Sequence, residues 1–291
     1  MNSLSGLLDP IAMGCLLGGL YALIALGLSL VFGVMKLINV AHGDLVIFGS
    51  YFAYSLLTIL GVDPILSLVV GMPVLFALGF GIQKFLLSRA FKISLEAPLI
   101  IAFGISIILE NMFQIFWSPL SRGLTTSYSL QFLGLGPLRI PLVYLLNFIL
   151  ALVVMFLLHV FMRRTYLGRA INAASQQRRA SLLMGINNER IFGFAFAIAM
   201  AIAALSGVCL GLTFPFTPIS GVSFLIIAFG VVVLGGLGSI PGTFIGGIVI
   251  GLAQTLGGHF FGTTAQMLVA YIIVLVILTV RPQGILGRRD R

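Results

Sequence analysis

Residues 191–213 read IFGFAFAIAMAIAALSGVCLGLT, and they open a stretch of 90 residues, ending at Val280, without one Asp, Glu, Lys or Arg. A soluble domain could not keep such a run in solution, whereas in hydrocarbon it is the expected composition of membrane-spanning helices. Only helices and closed barrels satisfy their own backbone groups in lipid. Long apolar runs, rather than ten-residue alternating segments, select the helix. Breakers divide the run: Phe214-Pro215-Phe216-Thr217-Pro218, the glycine-rich Gly235 to Gly242, and Gly257-Gly258. Four pieces result, roughly 191–213, 222–238, 241–258 and 265–280. The middle two are short, so they read either as ordinary helices joined by a tight turn or as a broken, re-entrant pair lining a path.

Working outward, five further spans precede this run. They are Ile11 to Met35, Leu45 to Val62, Ile65 to Gln83, about Pro98 to Trp117, and Ile140 to Met162. Ser118 to Arg139 is polar and fits an external loop or a short surface helix. The whole chain, 1–291, is expected to be a single all-α transmembrane permease domain, a polytopic helical bundle of about eight or nine membrane segments. Composition agrees: 60% of residues are hydrophobic, 8% are charged, and the mean hydropathy is +1.19. Segments 40–56 and 239–256 share a glycine-marked break followed by an apolar run, too short a match to define a repeat.

The net charge of +9 raises the possibility of nucleic acid, but the distribution of the cations excludes it. Three basic blocks alternate with apolar spans: Lys84, Arg89 and Lys92; Arg163, Arg164, Arg169, Arg178, Arg179 and Arg190; Arg281, Arg288, Arg289 and Arg291. With the amino terminus outside and the carboxyl terminus inside, these blocks and Lys36 face the cytoplasm. Of 16 cations only Arg122 and Arg139 then lie outside. The partner expected from charge and hydropathy is therefore membrane lipid. Cys15 and Cys209 lie far apart inside apolar runs and offer neither a disulfide framework nor a redox pair.

The sequence contains no P-loop, no His-Glu-x-x-His and no Gly-x-Ser-x-Gly, and its three histidines are isolated. The chain is expected to be non-catalytic, with no cofactor or metal of its own. Three segments carry polar residues where apolar ones would suffice. Asn39-Val40-Ala41-His42-Gly43-Asp44 interrupts two spans and places a carboxylate at the start of the second. It reads either as a cap and turn or as part of a solute path. Glu110 and Asn111, with Gln114, mark the fourth span and read as helix-to-helix contacts, as path lining, or as an ion site. Arg163 to Arg190 contains a predicted short helix over 168–186 that ends at Gly185. The segment reads either as a solvated connector with phospholipid-facing arginines or as a coupling loop that would meet a cytoplasmic partner through Gly168, Arg169, Ala170, Arg179, Ala180, Ser181, Gly185 and Ile186.

Five motifs together resemble the permease subunits of ABC importers for branched-chain amino acids, of the LivH kind. They are Gly19-Leu20-Tyr21-Ala22-Leu23, Gly27-Leu28-Ser29-Leu30-Val31-Phe32-Gly33-Val34, Ile38 to Asp44, Leu234 to Gly242, and Arg281-Pro282-Gln283-Gly284-Ile285-Leu286-Gly287. The resemblance implies an importer in a bacterial inner membrane with a second related permease and two cytoplasmic ATPase subunits that bind ATP and Mg. A periplasmic binding protein would deliver Leu, Ile or Val. Urea permeases share the pattern. In the family the docking loop often reads Glu-Ala-Ala with a glycine three residues later; here the positions read Arg179-Ala180-Ser181 and Gly185. A different class of protein, an ion-coupled secondary carrier, would use Asp44 or Glu110 as its proton or cation site.

Overall fold

The computed structural model describes residues 5–94, 96–135, 138–281 and 283–287. Pro282, Arg288, Arg289 and Arg291, named above in a motif and a basic block, lie outside the described residues. In chain order the elements are α1 (Ser5–Met35), α2 (His42–Leu60), α3 (Leu68–Ile82), a π-helical turn (Gln83–Leu87) leading into α4 (Ser88–Ala90), and α5 (Ala97–Trp117). A hairpin of β1 (Phe132–Leu135) and β2 (Leu138–Pro141) precedes α6 (Leu142–Arg164), α7 (Tyr166–Gln176), α8 (Arg178–Leu183) and α9 (Asn188–Thr213). The chain closes with α10 (Ser220–Gly235), α11 (Ile240–Phe261) and α12 (Gln266–Val280). Among the described residues eight helical stretches are long and apolar enough to cross a membrane, and α10 is a shorter apolar helix.

α1 and α9 form the buried centre, and the other helices surround them with one face each turned outward. Small residues set the spacing. Gly14 and Gly18 of α1 lie against the backbone of Gly251 and Ile248 of α11, and Gly247 lies against Ala22. A β-carbon at any of these positions would strike main chain, so glycine is what lets the two helices approach. Side-chain hydrogen bonds add polar contacts between helices: Tyr21 donates to Gln254 at 2.6 Å, Thr243 to Ser29 at 2.8 Å, and Ser50 to the Gly207 carbonyl at 2.7 Å.

Three expectations change. Gly257-Gly258 does not end a helix: α11 runs on to Phe261, because these glycines let Val269 and Gln266 of the last span pack close, and the stop is Gly262 at φ 88°. The two middle pieces are therefore unequal, 16 residues in α10 against 22 in α11, or about 24 and 33 Å at 1.5 Å per residue. Residues 118–139 form neither a plain loop nor a helix. They contain β1 and the start of β2, with Gly134 paired to Arg139, and Arg122 forms an isolated bridge to Phe216. The Tyr128 hydroxyl at this end donates to Asp63 at 3.2 Å, and burial pushes its pKa up to about 12.

The glycine-rich motif at 234–242 and the motif at the carboxyl end fold onto each other. Gly236 and Gly238 have φ of 105° and 81°, which a side chain would oppose, and Gly238 lies against Gly33 near the end of α1. The final carbonyls of α10 would be orphaned by the break. Ile285 and Leu286 donate to the carbonyls of Leu234 and Gly235 at 2.8 and 3.1 Å, so the end of the chain caps the short helix.

Replacing Gly18 with Val is expected to destabilise the bundle at the upper end of the ~1–3 kcal/mol range for overpacking. Gly81→Ala, where a β-carbon meets nothing within 4 Å, should stay near the wild type. Thermal unfolding of the detergent-solubilised protein measures both, and equal midpoints would contradict the packing described.

Candidate functional site

After α1 ends at Met35, Lys36 takes φ 57° and the chain doubles back along α1 before α2 begins. His42, the first residue of α2, bonds through Nε2 to the Ile24 carbonyl at 2.9 Å. Ile24 lies 11 residues from the end of α1, or about 16 Å along it. Gly27 lies against both the His42 ring and the Ala199 carbonyl, close to the middle of α9. α2 therefore starts halfway through the bundle. The same construction occurs at the other end, where α9 stops at Thr213 and residues 214–219 lead back inward to α10.

The amino ends of α2 and α10 meet. A β-carbon on Gly43 would strike the Gly221 carbonyl, and one on Gly221 would strike the Asp44 carboxylate. Asp44 thus lies where two helix amino termini converge, each with an effective charge of about +0.5. That field, with a hydrogen bond donated by Ser106 of α5 to Oδ2, offsets the cost of a carboxylate buried at this depth. Oδ1 of Asp44, Nδ1 of His42 and Nδ2 of Asn39 are buried without a partner among the described residues.

Asn39, His42, Gly43 and Asp44 are thus brought together, all enclosed by the chain itself. Glu110 stands one turn from Ser106 on α5 and is half-buried. Asn111 does not join them: it is exposed, and its Nδ2 donates to the Ile107 carbonyl at 2.8 Å. Residue-by-residue reading missed Ser106 and Gly221. Ser106 was legible as the position four before Glu110 on the same helix, and Gly221 as the glycine following the Pro215–Pro218 break.

The predicted single helix over 168–186 is two helices, α7 and α8, broken at Gln177, whose φ of −143° and ψ of 97° are extended. The break lets α8 turn across the basic end of the bundle. Gly168 and Ala170 are buried packing positions, Gly168 lying against the Phe161 carbonyl of α6, while Arg169 is exposed and donates to the Arg164 carbonyl at 3.3 Å. Arg179 and Ala180 are exposed; Ser181 is buried and donates to Asn188 at 2.8 Å. Gly185 takes φ 78° in open space, ending the unit before the half-buried Ile186.

Beyond the predicted residues, Leu183 and Met184 project with 90% and 81% of their surface exposed. Arg178 braces the tip. Its guanidinium lies 5.3 Å from the Phe91 ring centre and 4.8 Å from that of Phe192, and it donates to the Met35 carbonyl at 3.4 Å. One side chain thereby joins α8 to the end of α1, the turn after α4, and the start of α9.

The family model described as branched-chain amino acid transport system, permease component, matches residues 11–278. The chain belongs to that family. It is similar to BraD of Pseudomonas aeruginosa, a high-affinity branched-chain amino acid transport system permease protein, at 34% identity over 97% of this chain and 96% of the relative. LivH of Escherichia coli K12, with the same description, is 32% identical over 95% and 94%. Among solved structures, PsaBC from Streptococcus pneumoniae in complex with Fab aligns with a TM-score of 0.52, covering 96% of this chain and 92% of that one. At 17% identity that likeness concerns the fold alone. Within the family the chain is a multi-pass membrane permease component.

Ser106→Ala removes the hydrogen bond to Asp44 and should lower stability by ~1–3 kcal/mol, the usual cost of an unsatisfied buried acceptor. Asp44→Asn in the same background is expected to recover part of that loss. Unfolding midpoints of the single and double variants test the coupling, and additive effects would contradict it.

Proposed function

We propose that this chain is the solute-conducting subunit of an ATP-driven importer for branched-chain amino acids in a bacterial inner membrane. It lies with its amino terminus outside, and is a single membrane domain without catalysis, cofactor or metal of its own. It works beside a second related permease, with two cytoplasmic ATPase subunits and a periplasmic binding protein. The observation that carries the reading is the projecting apolar tip Leu182-Leu183-Met184 at the basic end. Exposed apolar side chains clustered outside a membrane region mark a surface that another protein covers. The basic residues around it favour the cytoplasmic side, where ATP is available.

Coupling then has a physical route. ATPase closure pushes α7 and α8, and Arg178 passes the displacement to Met35 and Phe192, at the ends of α1 and α9. Those two helices carry the returning segments 36–41 and 214–219, so their relative shift acts on the α2–α10 junction. A junction of two helix ends held by a few polar contacts moves more readily than a continuous pair. Solutes with aliphatic side chains suit the apolar walls, and the outward polar groups of α5, Asn111 and Gln114, suit their amino and carboxylate groups. What supports this substrate class is the family and the descriptions of BraD and LivH.

In proteoliposomes containing all partner subunits, Gly185→Val forces a β-branched residue toward φ 78° and is expected to abolish ATP-driven leucine uptake while membrane insertion is unchanged. Leu183→Asp should give the same loss by removing the apolar contact. Full uptake by both variants would refute the docking role, and uptake that follows a proton gradient and ignores ATP would refute the importer.

A further inference from the structure

At the end of the bundle remote from the basic blocks, a single residue joins the last turns of α2, the end of α5 and the segment that leads into α10. Arg122 pairs through its backbone with Phe216 in both directions: its N–H donates to the Phe216 carbonyl at 2.9 Å, and its carbonyl accepts from the Phe216 N–H at 2.8 Å. Two residues on, Leu124 donates to the Gly211 carbonyl at 2.9 Å, and its buried side chain lies against that glycine. The guanidinium reaches the other way. Nη1 donates to the Tyr54 hydroxyl at 3.2 Å, and Nη2 to the Trp117 carbonyl at 3.3 Å and the Ser118 hydroxyl at 3.2 Å. The Tyr54 ring centre lies 5.5 Å from the guanidinium.

These contacts have a physical reason. Trp117 is the last residue of α5, so its carbonyl has no partner within the helix and stands at the negative end of the helix dipole, where a cation is favoured. Ser118 takes φ 63° and ψ 162°, a conformation costly to a residue with a β-carbon, so the turn out of α5 has to be held by its surroundings. Phe216 is fully buried, with its ring edge-on to Tyr51 and the centres 5.0 Å apart, and Tyr51 lies 5.0 Å from Trp117. Arg122 itself is half-buried, and no carboxylate is within ion-pair distance of it among the described residues. Its donors go to neutral groups on the elements that it joins.

Tyr54 lies ten residues past Asp44 on α2, or about 15 Å along the helix, and Phe216 lies five residues before Gly221. The depth at which α10 begins is set by residues 214–219, and Arg122 holds that segment from outside. We propose that Arg122 is a positioning residue for solute transport, which keeps segment 214–219, and through it the start of α10 beside Asp44, in register with α2 and α5. This rests on the reading of the chain as the solute-conducting subunit of an importer. α9 carries segment 214–219, and Arg122 ties that segment to α2 and α5. A shift of α9 driven from the basic end is thereby delivered to the α2–α10 junction; without the tie it is lost in a slack connection, and ATP is hydrolysed with little solute moved.

The test uses the complete transporter in proteoliposomes with its binding protein and reads leucine taken up per ATP hydrolysed. Arg122→Gln leaves the backbone bridge and removes the guanidinium. It is expected to lower the ratio roughly tenfold, the scale of one lost hydrogen bond to a charged group, while ATP hydrolysis persists. Arg122→Lys should recover only part of the loss, because one ammonium cannot reach Tyr54, Trp117 and Ser118 together. Tyr54→Phe should lower the ratio by less, and adding it to Arg122→Gln should lower it no further. Arg139→Gln, at an exposed cation of the hairpin, controls for charge and should leave the ratio unchanged. An unchanged ratio in Arg122→Gln, an equal loss in Arg139→Gln, or an equal fall of uptake and hydrolysis in the assembled complex would overturn the assignment. Should Arg122→Gln fail to assemble, Tyr54→Phe decides, and an unchanged ratio there overturns it. Wild-type vesicles that take up leucine without ATP would instead refute the importer reading, which the same assay separates from a failure of Arg122.

Discussion

A bilayer interior supplies no water, so any interruption of a helix at that depth has to find partners within the protein. This chain interrupts two of its helices midway and brings the two new amino termini together. The field of those termini is what makes a buried Asp44 tolerable, and the glycines at 43 and 221 are what allow them to approach. Ser106 supplies the one side-chain donor to the carboxylate among the described residues, which ties α5 to the junction as well. The position of α2, α5 and α10 thus follows from one electrostatic requirement.

The rest of the bundle is arranged to keep this junction covered. α1 and α9 run the full thickness beside it, and their contacts with α11 and α2 are made through glycines and short polar side chains. Hydrophobic burial contributes little between helices already in lipid, so close van der Waals approach and hydrogen bonds determine which faces meet. Thirty-five glycines in 291 residues are in that light chiefly a packing device, as Gly257 and Gly258 illustrate by continuing a helix they were expected to end. The carboxyl-terminal segment completes the enclosure by capping α10, which has no helix beyond it to satisfy its carbonyls.

At the basic end, the loop between α6 and α9 is small but mechanically connected. Its apolar tip faces away from the bundle, while Arg178 lies over two phenylalanine rings and is bonded to the end of α1. The exposed ion pair between Lys92 and Glu189 at 2.8 Å adds little by comparison, because solvent screens both groups. The tip is therefore held to the bundle by cation–π contacts and a hydrogen bond rather than by surface charge.

Composition alone established the helical membrane bundle, since 90 uncharged residues admit no other solvent, and the breakers placed most helix ends within a few residues. Motif order carried the family. Local sequence could also mark Asn39 to Asp44 and Glu110 as polar residues in costly places, because expense is visible from hydropathy. It could not show that 36–44 pairs with 214–221, rather than with the similar-looking 239–256, nor that Ser106 and Gly221 complete the site. Those contacts join residues more than 60 positions apart, and their depth depends on how far each returning segment penetrates, a quantity set by packing against α1 and α9. The same holds for Arg178, which as sequence is one cation in a basic block and becomes a brace only when α4, α9 and the end of α1 are brought to it.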